Sequence, residues 1–144
     1  MKSAGVSFSK WMRFDEIPEE VRGQAGLYEI RHGRLLLKVG IASDLYRRLK
    51  QHKDSKQKCL KGPRIEPWSD PSGVVSKASI LAKHLYFDRS IARNLDLCTE
   101  WGRRTFLGTC RVRLACMPVL EARRHERLLE HSKTYRYCGI VKIR

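Results

Sequence analysis

The stretch Gly26–His52, GLYEIRHGRLLLKVGIASDLYRRLKQH, decides how this chain is read. Leu27, Tyr28, Glu29, Ile30 and Arg31 alternate as a strand does, His32-Gly33 supplies a tight turn, and Leu35-Leu36-Leu37-Lys38-Val39 returns as a second strand. The successive leucines predict burial on both faces, and so a central place for the second strand in its sheet. Ser43 or Asp44 then caps a helix reaching to about Lys53. Ile41, Leu45 and Leu49 face inward from it, and Arg48 and His52 stand one turn apart on an adjacent face. Tyr28, Lys38, Arg48 and His52 are thus spaced so that they can converge on one phosphate.

Upstream, residues 1–25 form a lead-in, with a turn or short helix start at Asp15-Glu16-Ile17-Pro18-Glu19-Glu20. Downstream, Arg47 to Arg64 carries eight Lys/Arg against a single acid, Asp54, and runs into loop-like sequence at Gly62-Pro63 and Pro67–Gly73. Helical spacing returns around Ile80–Asp88 and Leu97–Leu107. Arg111-Val112-Arg113-Leu114-Ala115-Cys116 alternates as a strand with one buried face, Pro118 stops it, and Glu121–Lys133 forms a helix. The tail from Tyr135 to Ile143 reads as extended.

A chain of 144 residues with 42% hydrophobic content is sized for a single domain with a modest core. Thirty Lys+Arg against fifteen Asp+Glu, a formal charge of +15, costs folding energy through self-repulsion and points to a polyanionic partner. Charge alone suits an RNA binder of ribosomal type as well as it suits a DNA enzyme. The five cysteines are odd in number and form no C-x-x-C pair, so they are expected as free thiols in a reducing cytoplasm, without disulfide framework or zinc ribbon. No apolar run reaches bilayer-spanning length and no signal-peptide segment opens the sequence, so a cytoplasmic location without membrane partner is expected.

The order Gly26-Leu27-Tyr28, Lys38-Val39-Gly40, Arg48, His52, then a strand and a helix bearing a glutamate, resembles the GIY-YIG nuclease family. Glu121-Ala122-x-x-x-Glu126-x-Leu128-Leu129 is similar to the E-A-x-x-x-E-x-x-L segment of the excision-repair member. The likeness covers roughly residues 20–53 and 110–131, about half the chain. It implies an α+β fold: a small antiparallel sheet of about three strands flanked by helices, with a core at about 20–53 and 110–133 and a helical insertion at about 54–109. It also implies metal-dependent endonuclease activity that hydrolyses one DNA strand per site. Two positions depart from the family pattern. Lys38 replaces the tyrosine of the second motif, as in restriction-endonuclease variants of the family. The asparagine often found after the glutamate helix has no counterpart there, since Asn94 is the only one in the chain, so that support residue is either absent or replaced by Tyr135 or Tyr137.

Phosphodiester hydrolysis needs an activated water, relief of negative charge in the transition state and help for the leaving oxygen. Glu126 falls within the apolar stripe of its helix, where a carboxylate is expensive unless it meets a cation or donors. A divalent ion is the functional reading; an ion pair with Arg48 or Lys38 is the alternative. One carboxylate suits one Mg²⁺ or Mn²⁺ ion that keeps most of its waters.

Tyr28 is assigned the proton of the attacking water, with Lys38 holding the phenol acidic and orienting the nucleophile. A strand tyrosine packed in the core and a solvated strand lysine are the plainer readings of these residues. Arg48 can make a bidentate phosphate contact that lysine cannot reproduce, and it follows Lys38 by ten residues, as the family arginine follows its motif. His52 is a candidate to donate to the phosphate or protonate the leaving oxygen, whereas His125 and His131 read as surface positions. Arg47, Lys50, Lys53, Lys56, Lys58, Lys61 and Arg64 are the expected phosphate clamps for DNA. Arg89, Arg93, Arg103 and Arg104 are candidates for base readout from the insertion. The rival expectation is a catalytically inactive nucleic-acid-binding module on the same scaffold, and RNA meets the same charge requirement as DNA.

Overall fold

The computed structural model describes residues 5–144, so Met1–Ala4 of the expected lead-in lie outside the described residues. The chain is α+β. Its helices are α1 (Leu45–Asp54), α2 (Ile80–Tyr86), α3 (Glu100–Gly108) and α4 (Val119–Ser132). Its strands are β1 (Gly26–His32), β2 (Leu35–Ala42), β3 (Leu60–Lys61), β4 (Val75–Ser76) and β5 (Arg111–Cys116). The acidic lead-in forms single 3₁₀ turns at Phe14–Glu16 and Glu19–Val21. Two compact units result. One comprises the described residues through Lys50 with Thr109–Cys138, the other Gln51–Gly108 with Gly139–Arg144. Among the described residues, no helix is long and apolar enough to cross a membrane.

In the first unit β1, β2 and β5 form an antiparallel sheet in the order β2-β1-β5. The expectation that the leucine strand is central is corrected: β1 is the middle strand and β2 lies outside it. A register shift between Ile30 and Arg31 passes Arg31 to Leu36 and Ile30 to Lys38, leaving Leu37 as the extra residue of a bulge. Leu37 is fully buried, Leu36 packs partly into the α4-side core, and Leu35 is 40% exposed. Consecutive leucines therefore record a bulge whose two faces are covered. The outer edge of β2 is also closed, because the Arg136 and Tyr137 amides donate to the Leu36 and Leu37 carbonyls at 3.0 and 2.8 Å. These two bonds pair the start of the expected extended tail with β2.

The outer edge of β5 is covered in the same way. Ser9 N donates to Leu114 O at 2.8 Å, and Met12 and Val112 exchange amide bonds at 2.9 and 2.8 Å. Below the sheet, Ala122 and Leu129 on α4 pack fully buried against Leu27, Val39 and Ala115, with Val6 and Tyr135 completing the cluster. Asp44 caps α1 by accepting the Arg47 amide at 3.2 Å, and Pro118 occupies the N-cap of α4.

In the second unit, Cys59, Leu60, Trp68, Val74, Ala82, Tyr86, Phe87 and Val141 form one core, with the Trp68 and Tyr86 rings 4.9 Å apart. The short β3–β4 pair joins Leu60 to Ser76 and Lys61 to Val75. Residues near 144 return to α2, where Arg144 N donates to Phe87 O at 3.0 Å. Arg103 is fully buried and acts as an internal strut. It donates to Ser55 O at 2.7 Å, Ser55 Oγ at 2.8 Å and Leu97 O at 3.1 Å. Its expected availability for base readout is thereby corrected: its donors satisfy the backbone carbonyls of this unit.

Candidate active site

Tyr28 sits on β1 directly opposite Gly40 of β2 and Leu114 of β5. Its phenol lies across Gly40, where a Cβ would collide with Tyr28 Oη and Cζ, so only glycine lets the ring reach over β2. Gly26 answers a second close approach, since a Cβ there would strike Ala115 O and crowd Leu45. Lys38 is two residues before Gly40 and points to the same side of the sheet as Tyr28. Helix α4 packs against β2 and β1 from the opposite side and carries Glu126 in the stripe between Ala122 and Leu129. Arg48 stands exposed on α1.

These four residues, from four different elements, share one electrostatic field. Burial pushes the Tyr28 phenol well above its ordinary value, Arg48 acts to pull it down and Glu126 pushes it further up. Burial holds the Lys38 ammonium below its ordinary value, against the charges of Glu126 and Glu130, while Arg48 reinforces the fall. Glu126 is half-buried, and burial followed by the Glu130 charge raises its carboxyl; Lys38, Arg123 and Arg127 oppose the rise. Among the described residues no ion pair closes on Glu126 from Lys38 or Arg48. Burial thus outweighs the cation's pull on the Tyr28 phenol, and the cation acting on it is Arg48.

His52 belongs to the second unit, where it is 1% exposed and its Nδ1 lies 2.8 Å from Ser79 Oγ. Ser79 in turn caps α2 by accepting the Ala82 amide at 3.2 Å. The ring is therefore packed at a helix start. Of the expected phosphate clamps, Arg47 and Lys50 are exposed on α1 in the first unit. Lys56, Lys58, Lys61 and Arg64 are exposed and Lys53 is half-buried in the second.

Two groups beside the four residues escaped the sequence reading. Glu130 follows Glu126 by one helical turn, and that like-charge spacing is a readable signal. Cys138 donates its thiol to Glu130 Oε2 at 3.0 Å, and that bond, with burial, raises the thiol; nothing in the sequence announces the pairing. The Tyr135 hydroxyl, offered above in place of the family asparagine, donates to Glu29 in the sheet. His125, expected at the surface, has a side chain only 16% exposed and sits with Nε2 3.9 Å from Glu121 Oε1.

Among the described residues no three or more His, Cys, Asp or Glu side chains gather as a ready-made metal cage. The donor set at Glu126 is one carboxylate, with Glu130 a turn away, and its raised carboxyl is a group that a divalent cation would hold ionised. That set fits Mg²⁺ or Mn²⁺, hard ions that take oxygen ligands and retain waters, and is unsuited to a fully enclosed zinc centre.

Comparison with protein-family models, with curated proteins and with solved structures finds no match to this chain.

Proposed function

We propose that the protein is a GIY-YIG-type endonuclease that hydrolyses DNA phosphodiester bonds with one Mg²⁺ or Mn²⁺ ion. The observation that carries this reading is that Arg48 and Glu126 both act on the buried Tyr28 phenol and Glu126 also acts on the Lys38 ammonium, while among the described residues Glu126 forms no ion pair with either cation. A module that only binds nucleic acid gains nothing from such a carboxylate, because it repels the phosphate. Arg48, exposed and planar, clamps two oxygens of the scissile phosphate. Glu126 would hold the cation, which would supply positive charge to offset the negative charge of the transition state. Lys38 and Tyr28 would flank the attacking water and Tyr28 would accept its proton, with Arg48 acting to pull the phenol down. Exposed Arg47, Lys50, Lys56, Lys58, Lys61 and Arg64 position the backbone without reading sequence.

One observation favours the inactive module: Tyr28 is 2% exposed and burial drives its phenol away from the basic form. The two readings separate on supercoiled plasmid incubated with Mg²⁺, with Mn²⁺ and with EDTA, alongside Glu126→Gln. Nicking that needs metal and vanishes in the variant, while gel-shift affinity persists, supports the nuclease. Tight binding without cutting of plasmid, branched or single-stranded DNA selects the inactive module.

A further inference from the structure

We propose that Trp101 is a stacking platform for an unpaired nucleobase, so that the second unit holds single-stranded nucleic acid by its bases as well as by its phosphates. The inference deepens the proposed function and rests on nucleic acid being the partner.

The chain has three tryptophans and uses two of them internally. Trp11 is covered by guanidinium groups, with Arg31 Cζ 4.2 Å and Arg113 Cζ 4.6 Å from its ring centre. Trp68 is 5% exposed against Tyr86. Trp101 is 71% exposed on α3. Thr105 and Gly108, at the i+4 and i+7 positions of the same helix face, are both small and exposed, so no large neighbour shields that flank of the indole. An indole of such area is costly to leave in water and is the side chain most often found at interfaces.

The surroundings of α3 select the kind of partner. Arg103 pins the helix to Ser55, the Gln57 amide donates to Glu100, and Arg104 Nε donates to Asp54 O at 2.6 Å. These bonds lay the segment 54–57 along the Glu100 and Arg104 side of α3, and Lys56 within it and Lys58 just after it are exposed. The nearest acid, Glu100, is already engaged by Arg104 at 3.2 Å. A rigidly held aromatic face with a basic rim is the arrangement that binds single strands, since every base offers a π-face while the rim tracks phosphate. A second copy of this chain is the poorer occupant, because each copy carries +15. Duplex DNA hides its base faces in the stack, so only an unpaired or extruded base can use the platform.

The test is a fluorescence titration of the full chain in EDTA, which prevents cleavage, with oligothymidylate and with a duplex of equal length. Trp101→Ala and Trp101→Phe are measured beside the wild type, and sedimentation velocity is run on all three. The expected result is quenching of tryptophan emission by oligothymidylate, a single-strand affinity about 5- to 150-fold weaker in Trp101→Ala, and near-recovery in Trp101→Phe. Duplex affinity stays unchanged. Single-strand affinity equal to wild type in Trp101→Ala, with duplex binding intact, overturns the platform and leaves the nucleic-acid reading standing. A wild-type dimer that Trp101→Ala dissociates makes a second copy the occupant and overturns it too. Binding of neither nucleic acid by the wild type removes the proposed function itself.

Discussion

Arg113 on β5 stands directly opposite Glu29 on β1 and grips its carboxylate, Nε to Oε1 at 2.7 Å, with neither residue reachable from the other's local sequence. Lys133 Nζ reaches the second oxygen at 3.1 Å and the Tyr135 hydroxyl also donates to it, so β5 and the segment after α4 are both tied to the middle strand. Burial alone would raise the Glu29 carboxyl, but the bonds from Tyr135, Arg113 and Lys133 outweigh it and hold it below the ordinary range. Glu29→Gln is expected to cost about 3 kcal/mol, since it strands buried cations without their partner. Urea unfolding at neutral pH measures the loss.

The same carboxylate sets an acid dependence. A folded-state value below the unfolded one means that the pair's contribution is complete above the ordinary glutamate value of about 4.3 and is lost as pH falls through the lower folded value. Unfolding midpoints taken from neutral toward acid pH should decline more steeply in the wild type than in Glu29→Gln. Parallel curves would show that Glu29 is not the titrating group.

Gly40→Ala is expected to destabilise the fold by about 1–3 kcal/mol, because its methyl group meets the Tyr28 phenol and the ring cannot retreat within a packed sheet. Tyr28→Phe in the same chain removes the closest atom, Oη, and should recover part of the loss. Thermal midpoints of both single variants and the double variant close the cycle.

If Tyr28 accepts the proton, the rate of metal-dependent cleavage should still climb through alkaline pH, because burial raises the phenol. Arg48→Met removes a cation that favours the phenolate, so its profile should move to higher pH and its rate should fall about 100-fold. A profile whose alkaline limb does not move on losing Arg48 separates the two residues in function.

Exposed and buried arginines should behave oppositely. Arg103→Met leaves the Ser55 and Leu97 carbonyls without their donors and is expected to cost about 3 kcal/mol in stability. Arg104→Met, at a partly exposed pair, should cost under about 1 kcal/mol. Lys61→Met or Arg64→Met should leave stability alone and reduce the salt dependence of DNA affinity by about 0.9 in log–log slope for each phosphate no longer neutralised.

Much of the scaffold was visible in local sequence because local chemistry produced it. The β1–β2 hairpin followed from alternation about Gly33, α1 from Asp44 and the Leu45/Leu49 spacing, and β5 and α4 from the break at Pro118. The strand order failed for a reason of geometry, since a one-residue bulge at Leu37 imitates the continuous apolar run of a central strand. The β3–β4 pair joins only two residues on each side and leaves no periodic signal. At the candidate site, positions were legible and energetics were not. Lys38 and Tyr28 are placed by strand register, but their proton affinities depend on burial that only the folded chain creates. Glu29 carried no mark, because a lone strand glutamate announces neither its burial nor cations that come 84 and 104 residues later.

Those long separations also impose an order in time. The middle strand β1 is made early, yet one of its two partners is β5, and the register joining Gly26 to Cys116 closes only after the whole stretch Gln51–Gly108 has left the ribosome. Pairings this distant form slowly, because a large loop must close before any interaction rewards it. Glu126 arrives later still, on α4. A nascent chain therefore carries its basic α1 long before the carboxylate that acts on Tyr28 and Lys38 exists.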